Sequence, residues 1–440
     1  MADAPPKNAL LASASQAFRS RDFRLYQLAR LVGVIGAQAQ SVAVAWMVYQ
    51  LTHSPLMLGL TGLSLFLPGL FFVLPAGHTA DRYDRRKVIL ACYTLQGVSS
   101  ALLFYFSYYG TRHIASIYAV LFLIGLSRAF SGPASTAMLP QLVPKDHFVN
   151  AVTWGATTFQ IANMSGPAIG GLLFTLPLSG RLAHLRGAPI VFLFTVCTMA
   201  TFITLIASLH VRPGVADSRA FSLRTVFAGL HYVWNTKLLL GSLSLDLFAV
   251  LLGGAVSLMP IYASEILHCG PSGLGLLRAM PSVGALLVSI TLAFHPVRRN
   301  AGALMLTCVG IFGAATILFG LARSLPLALF ALFIVGASDM ISVVIRGSLV
   351  QLATPPEMRG RVSAVNWIFI GASNEFGEFE SGVTAYWWGA VRAVVIGGVG
   401  SLMVTGLWSV LFPNLRRANK LTAESLRATP TTQSSQEPVD

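Results

Sequence analysis

Long apolar runs separated by short polar stretches repeat along the whole chain, and a helix that crosses a bilayer needs about 20 mainly apolar residues. Twelve segments have that character. The first six are Leu25–Leu51, Leu56–Ala76, Val88–Tyr109, Ile114–Leu139, Asn150–Leu178 and Pro189–His210. The second six are Leu238–Ile261, Ser272–Phe294, Ala301–Leu321, Leu325–Leu352, Val362–Trp388 and Val391–Phe412. Between the two sets lies Val211–Lys237, where Phe221, Val226, Leu230, Tyr232 and Trp234 alternate with Arg219, Arg224 and Lys237. That spacing predicts a linker with a short amphipathic helix lying on the membrane surface. The last stretch is rich in Ser, Thr and Gln and predicts a disordered tail. The expected organisation is a six-helix bundle over 1–210, a linker over 211–237, a second bundle over 238–413 and a tail over 414–440.

Composition agrees with an integral membrane protein. Only 10% of the residues are charged and mean hydropathy is +0.69, whereas soluble domains carry roughly a quarter charged residues. A net charge of +14 would suit a nucleic-acid binder, but the basic residues punctuate apolar runs instead of clustering on one face. They act as topology signals. With both termini on the cytoplasmic side, 21 of the 30 Lys and Arg fall in cytoplasmic stretches and 5 on the opposite side. Met1–Ser20 has neither a long apolar core nor a cleavage motif, so the first helix is expected to remain as an anchor. The four cysteines form no spaced pair, and the nine histidines show no His-x-x-x-His spacing. No metal motif, diphosphate-binding acid cluster or serine-base constellation is present, so neither a metal site nor an enzyme is expected.

The halves are related by a faint repeat. Ala151-Val152-Thr153-Trp154 opens the fifth segment and Ala364-Val365-Asn366-Trp367 opens the eleventh, where a six-plus-six duplication would put them. Between the second and third segments, Gly77-His-Thr-Ala-Asp81-Arg82-Tyr-Asp84-Arg85-Arg86-Lys87 forms a short basic connection. Gly77 allows close helix approach, and Asp81 can accept hydrogen bonds from a neighbouring helix N-terminus.

Acids are confined to the second half of the membrane domain: Asp246, Asp339, Glu375, Glu378 and Glu380 lie within its segments, and none lies deep in the first six. Ionisable groups at depth are costly and usually face the bundle interior. Glu375 and Glu378 share one helical face, near enough to compete for a proton. Two readings are open for them: a proton-carrying pair, or acids left in water or paired to arginine where the helix breaks near Gly377. Arg30, Arg128 and Arg346 are the basic counterparts, placed to bind substrate oxygens or to form ion pairs. Arg30 can also snorkel to the interface. Ser165-Gly166-Pro167-Ala-Ile-Gly170-Gly171 predicts a bend and tight packing in the fifth segment. Trp46, Tyr49, Phe66, Phe130, Trp154, Trp367, Phe376 and Phe379 are candidates for an aromatic lining, against a background in which such residues more often pack or face lipid.

Helix count, basic connection, half-chain repeat and the Gly-Pro-x-x-Gly element together resemble the major facilitator superfamily. Thr52–Gly59, Ala80–Leu90 and Thr354–Val362 are similar to the bacterial branch of enterobactin-exporter-like and drug-efflux permeases. The upstream glycines of the superfamily's antiporter motif are replaced here by Thr153 and Ala162. The resemblance implies an all-α integral membrane protein with twelve helices in two pseudo-symmetric six-helix bundles that rock about a central site. It also implies a cytoplasmic gate of Gly77, Asp81, Arg82, Arg85, Arg86 and Arg361, with Asp81 contacting the start of the eleventh helix. The expected activity is export of a small amphipathic compound, such as a siderophore or drug, from the bacterial cytoplasm across the inner membrane. The chain lacks a Gly-x-x-x-x-Gly-Lys-Ser/Thr loop, so a proton gradient instead of a cofactor would drive it. Asp339, Glu375, Glu378 and Asp246 are the candidate carriers. Its partners would be the solute and the bilayer, with no nucleic acid, and it is expected to work as a monomer. Proton-coupled uptake and a non-transporting membrane sensor on the same fold are the alternatives.

Overall fold

The computed structural model describes residues 16–110, 113–210, 223–295, 297, 299–355 and 357–418. Residues 211–222 of the expected linker and 419–440 of the expected tail lie outside the described residues, whereas the start of that tail is ordered, with a helical turn over Pro413–Arg416 that buries Leu415. The first six long helices are α1 (Arg21–Thr52), α2 (Pro55–Arg82), α3 (Arg85–Tyr108), α4 (Ile114–Leu142), α5 (Phe148–Phe174) and α6 (Ala188–Ala207). A shorter α7 (Leu223–Asn235) follows. The second six are α8 (Lys237–Gly253), α9 (Gly270–Phe294), α10 (Ala301–Leu321), α11 (Leu325–Ala353), α12 (Arg359–Trp388) and α13 (Ala390–Leu411). Capping is local where polar residues permit it: the Asp84 carboxylate accepts from the Arg86 N–H at 2.9 Å and starts α3.

Helix α8 does not end cleanly. Gly254 interrupts it, and the chain continues through a 3-10 turn over Ala255–Leu258 and a π turn over Tyr262–Ile266. An interrupted helix frees carbonyls that lipid cannot satisfy. Here α12 supplies the partner, because Ser381 Oγ donates to the Gly254 carbonyl at 2.8 Å.

The two sets of six pack by one plan. In the first, α1 packs on α5 and α6, α2 on α4, and α3 on α4 and α6. In the second, α8 packs on α12 and α13, α9 on α11, and α10 on α11 and α13. Lipid tails give no hydrophobic drive for helix association, so close approach at small residues does the work. Gly170 of α5 sits on the backbone of α1 at Ala39, and Gly377 of α12 sits on the backbone of α8 at Leu251. Gly125 of α4 lies on Leu65 of α2, as Gly336 of α11 lies on Pro281 of α9. The amphipathic α7 docks on the second bundle: Val233 is buried among Leu239, Val350 and Val362, and Tyr232 Oη donates to the Ala353 carbonyl at 3.2 Å. Phe227 and Trp234 point away and are exposed.

Four helices make the seam between the bundles, α2 against α12 and α5 against α9. Both pairs touch through glycine near the face opposite to the one where α1 begins and α13 ends. A Cβ on Gly382 would stand 2.8 Å from the Gly59 Cα, and one on Gly171 would stand 2.9 Å from the Gly275 Cα. On the same face the Tyr49 hydroxyl, at the end of α1, donates to the Glu265 carboxylate in the turn after α8. The seam is sealed there. Toward the terminal face the same helices expose Leu70, Phe71, Val152, Phe159, Leu287 and Ile290.

Ten of the twelve long helices are apolar enough to cross a membrane by composition alone; the two that fall short are α5 and α12. Gln160 and Asn163 on α5, and Asn366, Asn374, Glu375, Glu378 and Glu380 on α12, lower their hydropathy. Both are seam helices, and the polar residues mark the interior of the molecule.

Candidate functional site

Helix α12 runs without a break through Gly377, so the reading in which it ends there does not hold. Gly377 instead lets the helix lie against the Val250 and Leu251 carbonyls of α8. With the helix intact, Glu375 and Glu378 project from one face toward α2, where Gly62 leaves room for both. A Cβ on Gly62 would stand 2.7 Å from Glu378 Oε2 and 3.3 Å from Glu375 Oε2. Beside them Phe66 of α2 meets Phe376 of α12 edge-on, ring centroids 5.1 Å apart. The acid pair therefore sits on the seam about midway through the molecule.

Two guanidiniums share this region. Arg128 of α4 is exposed and acts electrostatically on both glutamates. Arg278 of α9 acts on Glu378. Arg278 Nη1 donates to Ser41 Oγ of α1 at 3.0 Å, across the two bundles. Its Nε is enclosed and has no hydrogen-bond partner among the described residues. Ser41 Oγ donates in turn to the Gln38 carbonyl at 2.8 Å, and Gln38 Nε2 donates to Asn163 Oδ1 of α5 at 2.5 Å. A polar chain thus joins α9, α1 and α5 beside the acids. Nothing in the sequence singled out Arg278 from the other intramembrane arginines. Its only signal was a basic residue about two turns into an otherwise apolar helix.

Inside the second bundle lies a cavity of about 240 Å³, room for several water molecules. Asp246, Asp339, Arg346, Asn374 and Glu378 all reach its wall. Arg346 and Asp246 form an ion pair, the one salt bridge among the described residues, and both are buried. An adjoining void brings Asp246 and Asp339 together with Ser342, whose buried hydroxyl has no partner among the described residues. Glu378 borders both this cavity and the seam. Asp339 and Glu378 thus line one cavity.

The remaining expected residues are spread over the terminal face. Helix α2 extends to Arg82, so Gly77 is a buried helical residue and only Tyr83 and Asp84 connect α2 to α3. The side chain of Asp81 lies outside the described residues, as does that of Trp367. Arg82 is exposed. Arg85 Nη1 donates to the Ala137 carbonyl of α4 at 3.1 Å. Arg86 donates to the Ile206 carbonyl at 3.1 Å and to the Ala207 carbonyl, capping the end of α6. These two arginines brace the first bundle internally. Arg361 is exposed, and its backbone is packed by Gly229 of α7.

Arg30 stacks over the Tyr26 ring, 5.9 Å from its centroid, in space left by Gly155. Gly166 and Gly170 press α5 onto α1, while Gly171 and the Pro167 carbonyl face Gly275 of α9. The Gly-Pro element is therefore a two-sided packing surface. Of the aromatic candidates, Trp46 packs on Phe174 and Phe130 on Phe72 within the first bundle. Only Phe66 and Phe376 are shown paired across the seam.

Known proteins match both the sequence and the architecture. A family model described as transmembrane secretion effector matches residues 12–437. The enterobactin exporter EntS of Citrobacter koseri is 27% identical over 392 residues, covering 87% of this chain and 86% of that protein. The enterobactin exporter EntS of Escherichia coli O1:K1 / APEC is likewise 27% identical, over 389 residues, with the same coverage. Among solved structures, a bacterial homolog of the human lysosomal transporter Spinster, inward-facing and occupied, superposes with a TM-score of 0.70 at 13% identity, covering 94% of this chain and 99% of that one. A bacterial homologue of the iron transporter ferroportin, inward-facing, gives 0.65 at 15% identity, covering 88% and 98%. Two six-helix bundles meeting at a polar seam, together with a family match over nearly the whole length, establish that the chain belongs to the transmembrane secretion effector family and is a multi-pass membrane transporter of the major facilitator type.

Proposed function

We propose that the protein exports a small amphipathic molecule of the siderophore class across the bacterial inner membrane, exchanging it for protons by alternating access. The observation that carries the reading is the acid pair Glu375 and Glu378, held on the seam over Gly62 with Arg128 and Arg278 in electrostatic reach. Carboxylates at that depth are costly and rare, and those that occur mostly serve function. The excess of Lys and Arg around the terminal face supports a cytoplasmic position for that face. The glycine seals on the opposite face then make this the conformer open to the cytoplasm, ready to load solute. In the opposite conformer the gate residues Gly77, Asp81 and Arg82 meet the start of α12 near Arg361, and the glutamates take protons from outside. Returning, they release those protons inward as the next solute binds. Asp339 and the Asp246–Arg346 pair line the cavity behind Glu378, which has room for water to carry protons between Glu378 and the interior of the second bundle. Kinship with the enterobactin exporters supports the siderophore class.

The test is solute flux in inside-out vesicles with an imposed proton gradient and a panel of catechol-bearing siderophores and lipophilic drugs. Accumulation that collapses with an uncoupler is the expected result. Accumulation only in right-side-out vesicles would reverse the direction of transport and overturn the proposal.

A further inference from the structure

We infer that the second bundle holds a binding site for a single alkali metal cation, sodium by size and charge, formed by Asp246 of α8 with Asp339 and Ser342 of α11. The site lies within one bundle and away from the seam. It goes beyond the proton-exchange reading, which rests on Glu375 and Glu378.

A void of about 10 Å³ lies between α8, α10 and α11, room for one water-sized body. Asp246, Asp339 and Ser342 supply its polar wall, and apolar side chains of α8 and α10 supply the rest. Ser342 is 1% exposed, and its hydroxyl has no hydrogen-bond partner among the described residues. Serine in a helix commonly satisfies itself on the carbonyl of the preceding turn. Ser338, one turn earlier, does so with the Ile334 carbonyl at 2.7 Å. Ser342 does not, and a buried polar group left open is costly, so native proteins satisfy most of them.

Charge then selects the ligand. One carboxylate oxygen of Asp246 pairs with Arg346, while Asp339 is within salt-bridge distance of no described cation. Two carboxylates against one guanidinium leave one negative charge around the void when both acids are ionised. Glu378 reaches the neighbouring cavity, but Arg128 and Arg278 answer it electrostatically. A buried charge without a counter-ion is destabilising. A monovalent cation cancels it, whereas a divalent ion would overshoot by one. A proton on Asp339 would cancel the charge and leave the void and the Ser342 hydroxyl unanswered. A water molecule would satisfy the hydroxyl and leave the charge. Sodium answers all three, because the bare ion is smaller than water and carboxylate and hydroxyl oxygens suit a hard cation. No His or Cys lines either space, so the donor set does not suit a softer metal.

Asp246 and Asp339 also line the larger cavity of about 240 Å³. An ion there reaches the void directly, and water in that cavity completes its coordination. Bound between Asp246 and Asp339, the ion ties α8 to α11, the two helices already joined by the Asp246–Arg346 pair.

The experiment measures binding of radiolabelled sodium to the purified full chain in detergent by scintillation proximity, with choline replacing sodium at constant ionic strength and fixed, mildly alkaline pH. A single saturable site is expected, at which unlabelled sodium competes better than potassium. Asp339→Asn removes the charge that calls for the ion and should abolish saturable binding. Ser342→Ala leaves every charge in place and should weaken binding about fivefold, the order of one lost oxygen ligand. Glu378→Gln, in the neighbouring cavity, should retain the site. Absence of saturable binding to the wild-type chain overturns the inference, and that result needs no variant to fold. Wild-type affinity in Asp339→Asn overturns it too, as does loss of binding in Glu378→Gln with Ser342→Ala unaffected. Potassium competing better than sodium overturns the assignment to sodium. Because the readout is binding, it is decided independently of the solute and direction found in the vesicles.

Discussion

The two bundles share a packing plan and differ in what they bury. Gly125 and Gly336 occupy matching places in α4 and α11, each pressed on the second helix of its bundle. One turn beyond them stand Arg128 and Asp339, at the same half-chain offset (336 − 125 and 339 − 128 both give 211). The duplicated position thus carries a cation in one bundle and an acid in the other. The buried polar side chains of the first bundle are neutral, Gln40, Gln96, Ser99 and Ser100 among them, with Ser100 Oγ donating to Gln40 Oε1 at 2.6 Å. The second holds the buried Asp246–Arg346 pair, Asp339 and a cavity open to Glu378. Backbone packing at glycine preserves a fold through duplication, while single charges can diverge because each affects only its immediate surroundings. One bundle serves as a neutral frame, and the other carries the titrating groups.

The difference can be broken most forcibly at the ion pair. Asp246→Leu leaves Arg346 buried and unpaired, and should lower unfolding free energy in detergent by about 3–5 kcal/mol. Adding Arg346→Leu should recover most of that loss, because a well-packed apolar pair replaces the ions. A single variant as stable as wild type would mean that the pair is solvated.

Next come the glutamates. Glu375→Gln with Glu378→Gln should cut gradient-driven flux roughly ten- to hundredfold and flatten its dependence on pH, while downhill exchange continues. If the pH profile of the double variant overlays wild type, coupling resides with Asp339 instead. A smaller effect is expected from Gly62→Ala, whose methyl group would stand 2.7 Å from Glu378 Oε2. The carboxylate can swing aside, but the new methyl would also stand 3.1 Å from Glu378 Cβ, so stability should fall by about 1–3 kcal/mol. Flux should fall roughly fivefold, toward the low end of site-to-site coupling. Unaltered flux would show that the carboxylates do not need that position. The smallest effect belongs to the neutral bundle. Ser100→Ala should cost about 1 kcal/mol through the lost bond to Gln40 and leave the pH profile of transport unchanged. A shifted profile would contradict the division between frame and titrating bundle.

Much of the fold was legible because bilayer physics writes it in one dimension. Each spanning helix satisfies its own backbone, so length and hydropathy identify it without knowledge of its neighbours. Basic stretches and the Ala-Val-x-Trp repeat then suggested orientation and duplication. The legibility failed at helix ends and irregularities. The basic connection after α2 proved mostly helical, because Gly77 through Arg82 continue the hydrogen-bonded turn. The interruption of α8 at Gly254 went unseen, since it depends on Ser381 from a helix 127 residues away.

The site divides along the same line. The order of apolar and polar residues along the chain determined that this is a membrane protein of twelve long helices, and that its intramembrane acids belong to the second half. It also determined that Glu375 and Glu378 share a helical face, which follows from the helical repeat alone. Only the tertiary structure decided that this face meets Gly62 on α2, that Arg346 answers Asp246, and that Arg278 is tied to Ser41 across the seam. Those are contacts between helices distant in sequence, set by which small residues allow two backbones to approach, and hydropathy carries no record of them.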